Sequence, residues 1–275
     1  MAHLRVMIRI VFNLFLSVAA LAALPVAAQQ NSDILDASIL TGWQRADGKH
    51  VAALHLKLND GWKTYWRSPG DAGIPPQFTW SGSRNLSNVA VSWPAPKRIL
   101  QSGVHTIGYE NSLTLPLTLT PTQKSKPISL DGEIIIGVCK DVCVPMTLKL
   151  SQDLPAGQTK PDPRIVAALA DRPYSAAEAG VARVACHISP LADGLHLRAE
   201  VDLPATGAGE LAVIETANPQ VWVAQAKTSR QGGRLIAETE LYHVEGRTFA
   251  INRSGLRITV LGKKHAVEIQ GCPAG

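Results

Sequence analysis

The 275-residue sequence predicts an all-β protein of two sandwich domains joined by a short linker helix. Three observations lead there. Apolar and polar residues alternate in residues 51–58 (VAALHLKL), 113–119 (LTLPLTL) and 133–150 (EIIIGVCKDVCVPMTLKL), with the period of a half-buried strand. Glycine and proline punctuate these runs at Asn59-Asp60-Gly61, Ser68-Pro69-Gly70 and Pro94-Ala95-Pro96, the turn chemistry of short strands in a sandwich. After a polar, proline-rich boundary at residues 151–163 the alternation resumes and runs almost to the end.

The chain opens with Arg5 and Arg9, an apolar run over residues 10–24, and small residues up to Ala28. A charged start, an apolar middle and a small-residue site predict a signal peptide over residues 1–28, and hence export to the periplasm. Cleavage after Ala28 leaves 247 residues and lowers the formal charge from +5 to +3, since only Arg5 and Arg9 are lost. The remaining Lys and Arg are scattered among acids, so no basic stripe suits a nucleic acid.

The first predicted domain, residues 29–152, holds five of the six tryptophans: Trp43, Trp62, Trp66, Trp80 and Trp93. Most are expected to fill the core. Trp62 and Tyr65, in the segment DGWKTYWRSPG, are candidates for the wall of a site built on the cysteines.

Cys139 and Cys143 are three residues apart. On one extended strand residues four apart lie roughly 13 Å from each other, too far for a disulfide. A hairpin with Lys140-Asp141-Val142 as its loop brings them together. That register sets Val138 opposite Val144, Ile136 opposite Met146 and Ile134 opposite Leu148, all on one face. The cysteine pair, Gly137 with Pro145, Ile135 with Thr147 and Glu133 with Lys149 take the other face, away from the core. A sulfur on an exposed face is open to attack by a thiolate, and directly opposed residues sit wider than a relaxed bridge prefers. From the residues alone the pair reads equally as an inert staple or a redox pair, and two thiolates are also a soft site for Cu(I).

Residues 153–180 are predicted as a linker. Asp162 followed by Pro163 and RIVAALA reads as an N-cap, a proline at the first helical position and a short helix that ends at Arg172-Pro173. The second domain, residues 181–275, contains the strand-like runs GLHLRAEVDL, ELAVIETA, GRLIAETEL and LRITVL, with turns at Gln231-Gly232-Gly233 and Gly262-Lys263-Lys264. Four cysteines allow three pairings. Pairing Cys139 with Cys143 and Cys186 with Cys272 keeps each bridge within one half of the chain, the second as a structural staple.

Asp60-Gly61-Trp62 with Tyr65, Ile107-Gly108-Tyr109, LTLP at residues 113–116 and the closing GVCKDVCVP resemble the N-terminal periplasmic domain of the thiol:disulfide interchange protein DsbD. The three-residue cysteine spacing and WKTYWRSPGDAGIPP are closer to the ScsB branch, whose exported region carries two immunoglobulin-like domains. The resemblance implies immunoglobulin-like sandwiches and a protein-disulfide reductase component. Cys139 and Cys143 would be its redox pair, with Cys143 forming the mixed disulfide and Cys139 resolving it. It also implies a cap loop at residues 101–109, with Val104, His105, Ile107 and Tyr109 as lid residues. If such a lid carries His105 over the sulfurs, its ring is a candidate proton acceptor; otherwise it is a surface histidine. The implied partners are a thioredoxin-like domain or membrane thiol reductase and periplasmic proteins bearing disulfides. No cofactor and no metal site is implied. Full-length members continue into membrane and thioredoxin-like domains not found in these 275 residues, so the expectation is a separate membrane partner as electron source, or a stand-alone acceptor. The rival readings are a copper(I)-tolerance protein and a non-catalytic sandwich module.

Overall fold

The computed structural model describes residues 33–101 and 103–275, and of Gln101 and Val104 the backbone alone. The predicted signal peptide, residues 1–28, lies outside the described residues. The first sandwich contains β1 (Leu35–Gln44), β2 (His50–Leu58), β3 (Lys63–Tyr65), β4 (Gln77–Thr79) and β5 (Leu86–Val91). It is completed by β6 (Lys97–Gln101), β7 (Val104–Glu110), β8 (Ser112–Pro121), β9 (Ile128–Cys139) and β10 (Cys143–Leu154). One sheet runs β1-β2-β8-β5. The other runs β10-β9-β3-β7-β6, with β4 also paired to β9.

Alternation explains the core between them. Leu54 and Leu56 of β2, Leu113, Leu115, Leu117 and Leu119 of β8, and Ile134, Ile136 and Val138 of β9 point inward and are buried together. The other face of strand β2 is apolar at Val51 and Ala53, where helix α1 (Pro163–Ala170) covers it. Ile165 of α1 packs on Leu40, Val51 and Ala53. Asp162 caps α1 by accepting from the Arg164 N–H, and Pro163 opens the helix, as the sequence predicts. The helix is therefore a packed part of the first sandwich's outer face and does not bridge free space between domains.

The second sandwich contains β11 (Tyr174–Ser175), β12 (Arg183–Pro190), β13 (Leu195–Asp202), β14 (Leu211–Glu215) and β15 (Val221–Val223). After these come β16 (Lys227–Gln231), β17 (Arg234–His243), β18 (Arg257–Leu261) and β19 (Ala266–Gln270). Its sheets run β11-β19-β18-β14 and β12-β13-β17-β15, with β16 paired to β17. Both predicted turns close hairpins here, β16–β17 and β18–β19. Strand β11 falls inside the stretch read as linker, yet it pairs in parallel with β19. Cys186 and Cys272 are bonded, with Cα atoms 5.6 Å apart, and both are buried in this second core.

Residues 33–275 form one compact unit. Leu211, Leu261 and Ala266 of the second sandwich extend the first core, so the two share apolar contact. Arg67, two residues past the end of β3, adds a polar tie. Its guanidinium donates to Glu215 at 2.9 Å and to Glu268 at 2.6 Å while lying 4.1 Å above the Trp66 ring. None of the helices among the described residues is long and apolar enough to cross a membrane.

A candidate disulfide exchange site

The β9–β10 hairpin follows the register read from the sequence, with Cys143 opposite Cys139, Pro145 opposite Gly137 and Lys149 opposite Glu133. The turn brings the two Cα atoms to 4.1 Å, and the sulfurs are bonded. The face opposite the cysteines enters the core through Ile134, Ile136 and Val138, with Met146 and Leu148 packed against it, whereas Val144 is exposed.

The cysteine face, however, is not uniformly open. Cys139 has 0% of its surface exposed, whereas Cys143 is exposed. Strand order is the reason. β9 is an interior strand, with β10 on one side and β3 and β4 on the other, whereas β10 is a sheet edge. The expectation of a solvent-reachable pair holds for one sulfur of the two.

Tyr65 supplies the direct cover. Its hydroxyl oxygen lies 3.0 Å from Sγ of Cys143. A disulfide sulfur carries no proton, so the phenol donates. Burial raises the pKa of Tyr65, which keeps that proton in place. The ring reaches the sulfur by crossing Gly137, where a Cβ would come within 2.7 Å of both Tyr65 Cδ2 and Ile74 Cβ. Glycine is required there by close approach. Gly73 lies beside the same ring, with Pro69 against Gly73.

Lys63 is the residue the sequence did not point to. It pairs with Cys139 on one side and with Glu110 on the other. Directly paired residues of an antiparallel sheet project from the same face. Glu110, Lys63, Cys139 and Cys143 therefore form one row across β7, β3, β9 and β10. Lys63 is buried, and that burial lowers its pKa, with the Glu110 carboxylate acting in the opposite sense. A signal was present: WKTY places Lys63 and Tyr65 two residues apart, hence on one face of any strand.

The other predicted wall residues fall elsewhere. Trp62 takes the opposite parity from Lys63 and packs on the core. The stretch read as a cap loop, residues 101–109, is mostly strand where it is described: β7 pairs with β6 from Lys97 opposite Gly108 to Gln101 opposite Val104. Ile107 and Tyr109 are core residues on the face away from the sulfurs, because Tyr109 pairs with Thr64 and Thr64 with Val138. Tyr109 stacks on Trp93 and donates to the Pro94 carbonyl at 2.8 Å. His105 shares that parity, its Nδ1 is buried without a hydrogen-bond partner, and its carbonyl passes beside Gly70. The side chain of Val104 lies outside the described residues. Strand β7 leads away from the cysteine row: Val104 is six residues beyond Glu110, about 20 Å at the usual rise per residue. Among the described residues no group of three or more His, Cys, Asp or Glu is disposed to hold a metal ion.

The described chain thus joins an all-β fold of two sandwiches to a hairpin disulfide in which Cys143 is exposed and has the Tyr65 hydroxyl against its sulfur. Residues 36–155 match the family described as "Thiol:disulfide interchange protein DsbD, N-terminal", and this part of the chain is a DsbD N-terminal-type domain. Among solved structures, the chain is similar to the N-terminal periplasmic domain of ScsB from Proteus mirabilis. The likeness has a TM-score of 0.62 at 20% identity, covering 87% of this chain and 92% of that one. It extends the shared immunoglobulin-like fold to both sandwiches. The Enterococcus faecalis MSCRAMM ACE superposes at a TM-score of only 0.14 with 8% identity, over 88% of this chain and 97% of that one. No curated protein matches the sequence significantly.

Proposed function

We propose that this protein is a periplasmic thiol–disulfide exchange component in which Cys139 and Cys143 form the working pair. A partner thiolate attacks Sγ of Cys143. A new bond forms between the partner and Cys143, the Cys139–Cys143 bond breaks, and its electron pair leaves on Cys139. A second partner thiolate then attacks the partner's own sulfur in this mixed disulfide and frees Cys143, leaving the pair reduced. Run in the opposite sense, reduced Cys143 attacks the disulfide of an exported substrate and Cys139 resolves the product. The donor is a thioredoxin-like domain or membrane thiol reductase, and the acceptors are exported proteins bearing disulfides.

The observation that carries this reading is the asymmetry of the two sulfurs. Exchange rate depends on access and on which sulfur is attacked. Only Cys143 combines exposure with a hydrogen-bond donor 3.0 Å from its sulfur. The predicted signal peptide and the periplasmic origin of the ScsB domain support the location.

The test is trapping. Cys139→Ala should accumulate a mixed disulfide with a thioredoxin-like donor through Cys143, and Cys143→Ala should not. In the unmodified protein, thioredoxin should reduce Cys139–Cys143 while Cys186–Cys272 stays intact. Equal resistance of both bridges would end this reading in favour of a non-catalytic module.

A further inference from the structure

We propose that Lys63 is a positioning residue whose ammonium holds the sulfur of Cys139 as a thiolate once the Cys139–Cys143 bond opens. The inference rests on the exchange reading above and assigns a role to a residue outside the cysteine motif.

The geometry comes from the sheet. Lys63 stands directly opposite Cys139 on β3. Opposed residues have Cβ atoms about 4.5–5.5 Å apart, within reach of a lysine side chain. Both residues are buried, Lys63 at 7% exposure and Cys139 at 0%. Interactions between charges strengthen where water is excluded.

The chemistry then follows from which sulfur leaves. When a partner thiolate bonds to Cys143, the electron pair of the broken bond passes to Cys139. A negative charge appears on the sulfur that solvent cannot reach. A buried thiolate without a counter-charge is strongly disfavoured, and a poor leaving thiol slows exchange. The nearest cation in the row is Lys63. No proton has to move for this to work, and the ammonium can afterwards give a proton to Cys139 if the mixed disulfide persists.

Other charged and polar groups stand around the pair. Glu110 on β7 flanks Lys63 and favours its charged form. Tyr65, on the same strand as Lys63, presents its hydroxyl to Cys143. Lys140 and Asp141 occupy the hairpin loop, where the Lys140 side chain lies over Gly61. Neither sits in the row that Lys63 shares with Cys139.

The experiment is a thiol titration by ultraviolet thiolate absorbance in the full chain carrying Cys143→Ala, which leaves Cys139 as the single free thiol. Lys63→Met keeps the aliphatic stem and removes the charge. It should raise the Cys139 pKa by about one unit or more, and Lys63→Arg should restore most of the difference. In the chain with both cysteines, Lys63→Met should shift the equilibrium with glutathione toward the disulfide. A Cys139 titration unmoved by Lys63→Met in a folded protein overturns the proposal.

A second measurement needs no variant at position 63. By linkage, the Lys63 ammonium in the native chain should titrate higher after reduction, at a pH where Cys139 is ionised, than in the disulfide form. Equal Lys63 titration in the two states also overturns it. If the chain exchanges with no thioredoxin-like protein yet Lys63→Met still moves the Cys139 pKa, the coupling stands and the relay reading fails instead.

Discussion

The hydroxyl of Tyr65 lies 3.0 Å from the sulfur of Cys143, reaching it across a residue, Gly137, that has no side chain to stand in the way. Tyr65 thus stands against the exposed cysteine and offers a proton donor to the atom at which we propose exchange begins. Removing the donor while keeping the ring separates the two effects. Tyr65→Phe should fold normally and lose a hydrogen bond that strengthens as Cys143 leaves the mixed disulfide as a thiolate, worth about 1.5 kcal/mol. That is roughly tenfold in rate. Stopped-flow reduction by thioredoxin checks it, and an unchanged rate constant would show that the phenol only shields.

Gly137 is the space through which that contact is made. A methyl group there meets Tyr65 Cδ2 and Ile74 Cβ at 2.7 Å. Gly137→Ala is expected to cost about 1–3 kcal/mol through overpacking. It should also displace the tyrosine and speed reduction of Cys139–Cys143 by a small thiol. Urea unfolding and dithiothreitol kinetics on the same sample report both outcomes.

Arg67 ties the end of β3 to the second sandwich through Glu215 and Glu268, with only 15% of its side chain exposed. Arg67→Met removes the counter-ion of Glu215 and leaves Glu268 with Arg257 at 3.8 Å, and a loss of about 2 kcal/mol is expected. A double-mutant cycle with Glu215→Gln should recover a coupling of at least 0.5 kcal/mol. Additive effects would mean the pair contributes nothing to joining the sandwiches.

The bridge between Cys186 and Cys272 closes 86 residues of chain inside the second core. Its removal by paired Ala substitutions should lower stability by several kcal/mol, with about 4–5 as the chain-entropy ceiling. Exchange at Cys139–Cys143 should be retained at temperatures where the first sandwich stays folded. Differential scanning calorimetry with a parallel thioredoxin assay separates the two bridges.

Asp162 has a pKa held below the ordinary carboxylate value, chiefly by its hydrogen bond with the Arg164 side chain. A depressed carboxylate contributes stability that is complete above its unfolded value, about 3.9, and is lost as pH falls through the lower folded value. The helix cap should therefore persist at neutral pH and weaken only in strong acid. Asp162→Ala should cost about 1 kcal/mol at pH 7 and progressively less as pH falls below the unfolded value of about 3.9 and through the lower folded one. A constant difference across that range would rule out the carboxylate as the source.

The sequence by itself determined what depends on neighbours along the chain. Alternation at residues 133–150 gave the hairpin register and the pairing of Cys139 with Cys143. Asp162-Pro163 gave the start of α1, and the glycine turns gave the hairpins of the second sandwich. Only the tertiary structure decided which strands lie beside which. A period of two assigns a residue to a face but cannot say whether that face is an edge, an interior strand or a covered surface. For that reason His105, Ile107 and Tyr109 read as a lid and proved to lie on the core face, and helix α1 read as a linker and proved to cover β2. For the same reason the two cysteines read as equivalent until β9 was found in the interior of the sheet and β10 at its edge, which buries one sulfur beside Lys63 and leaves the other to solvent and Tyr65.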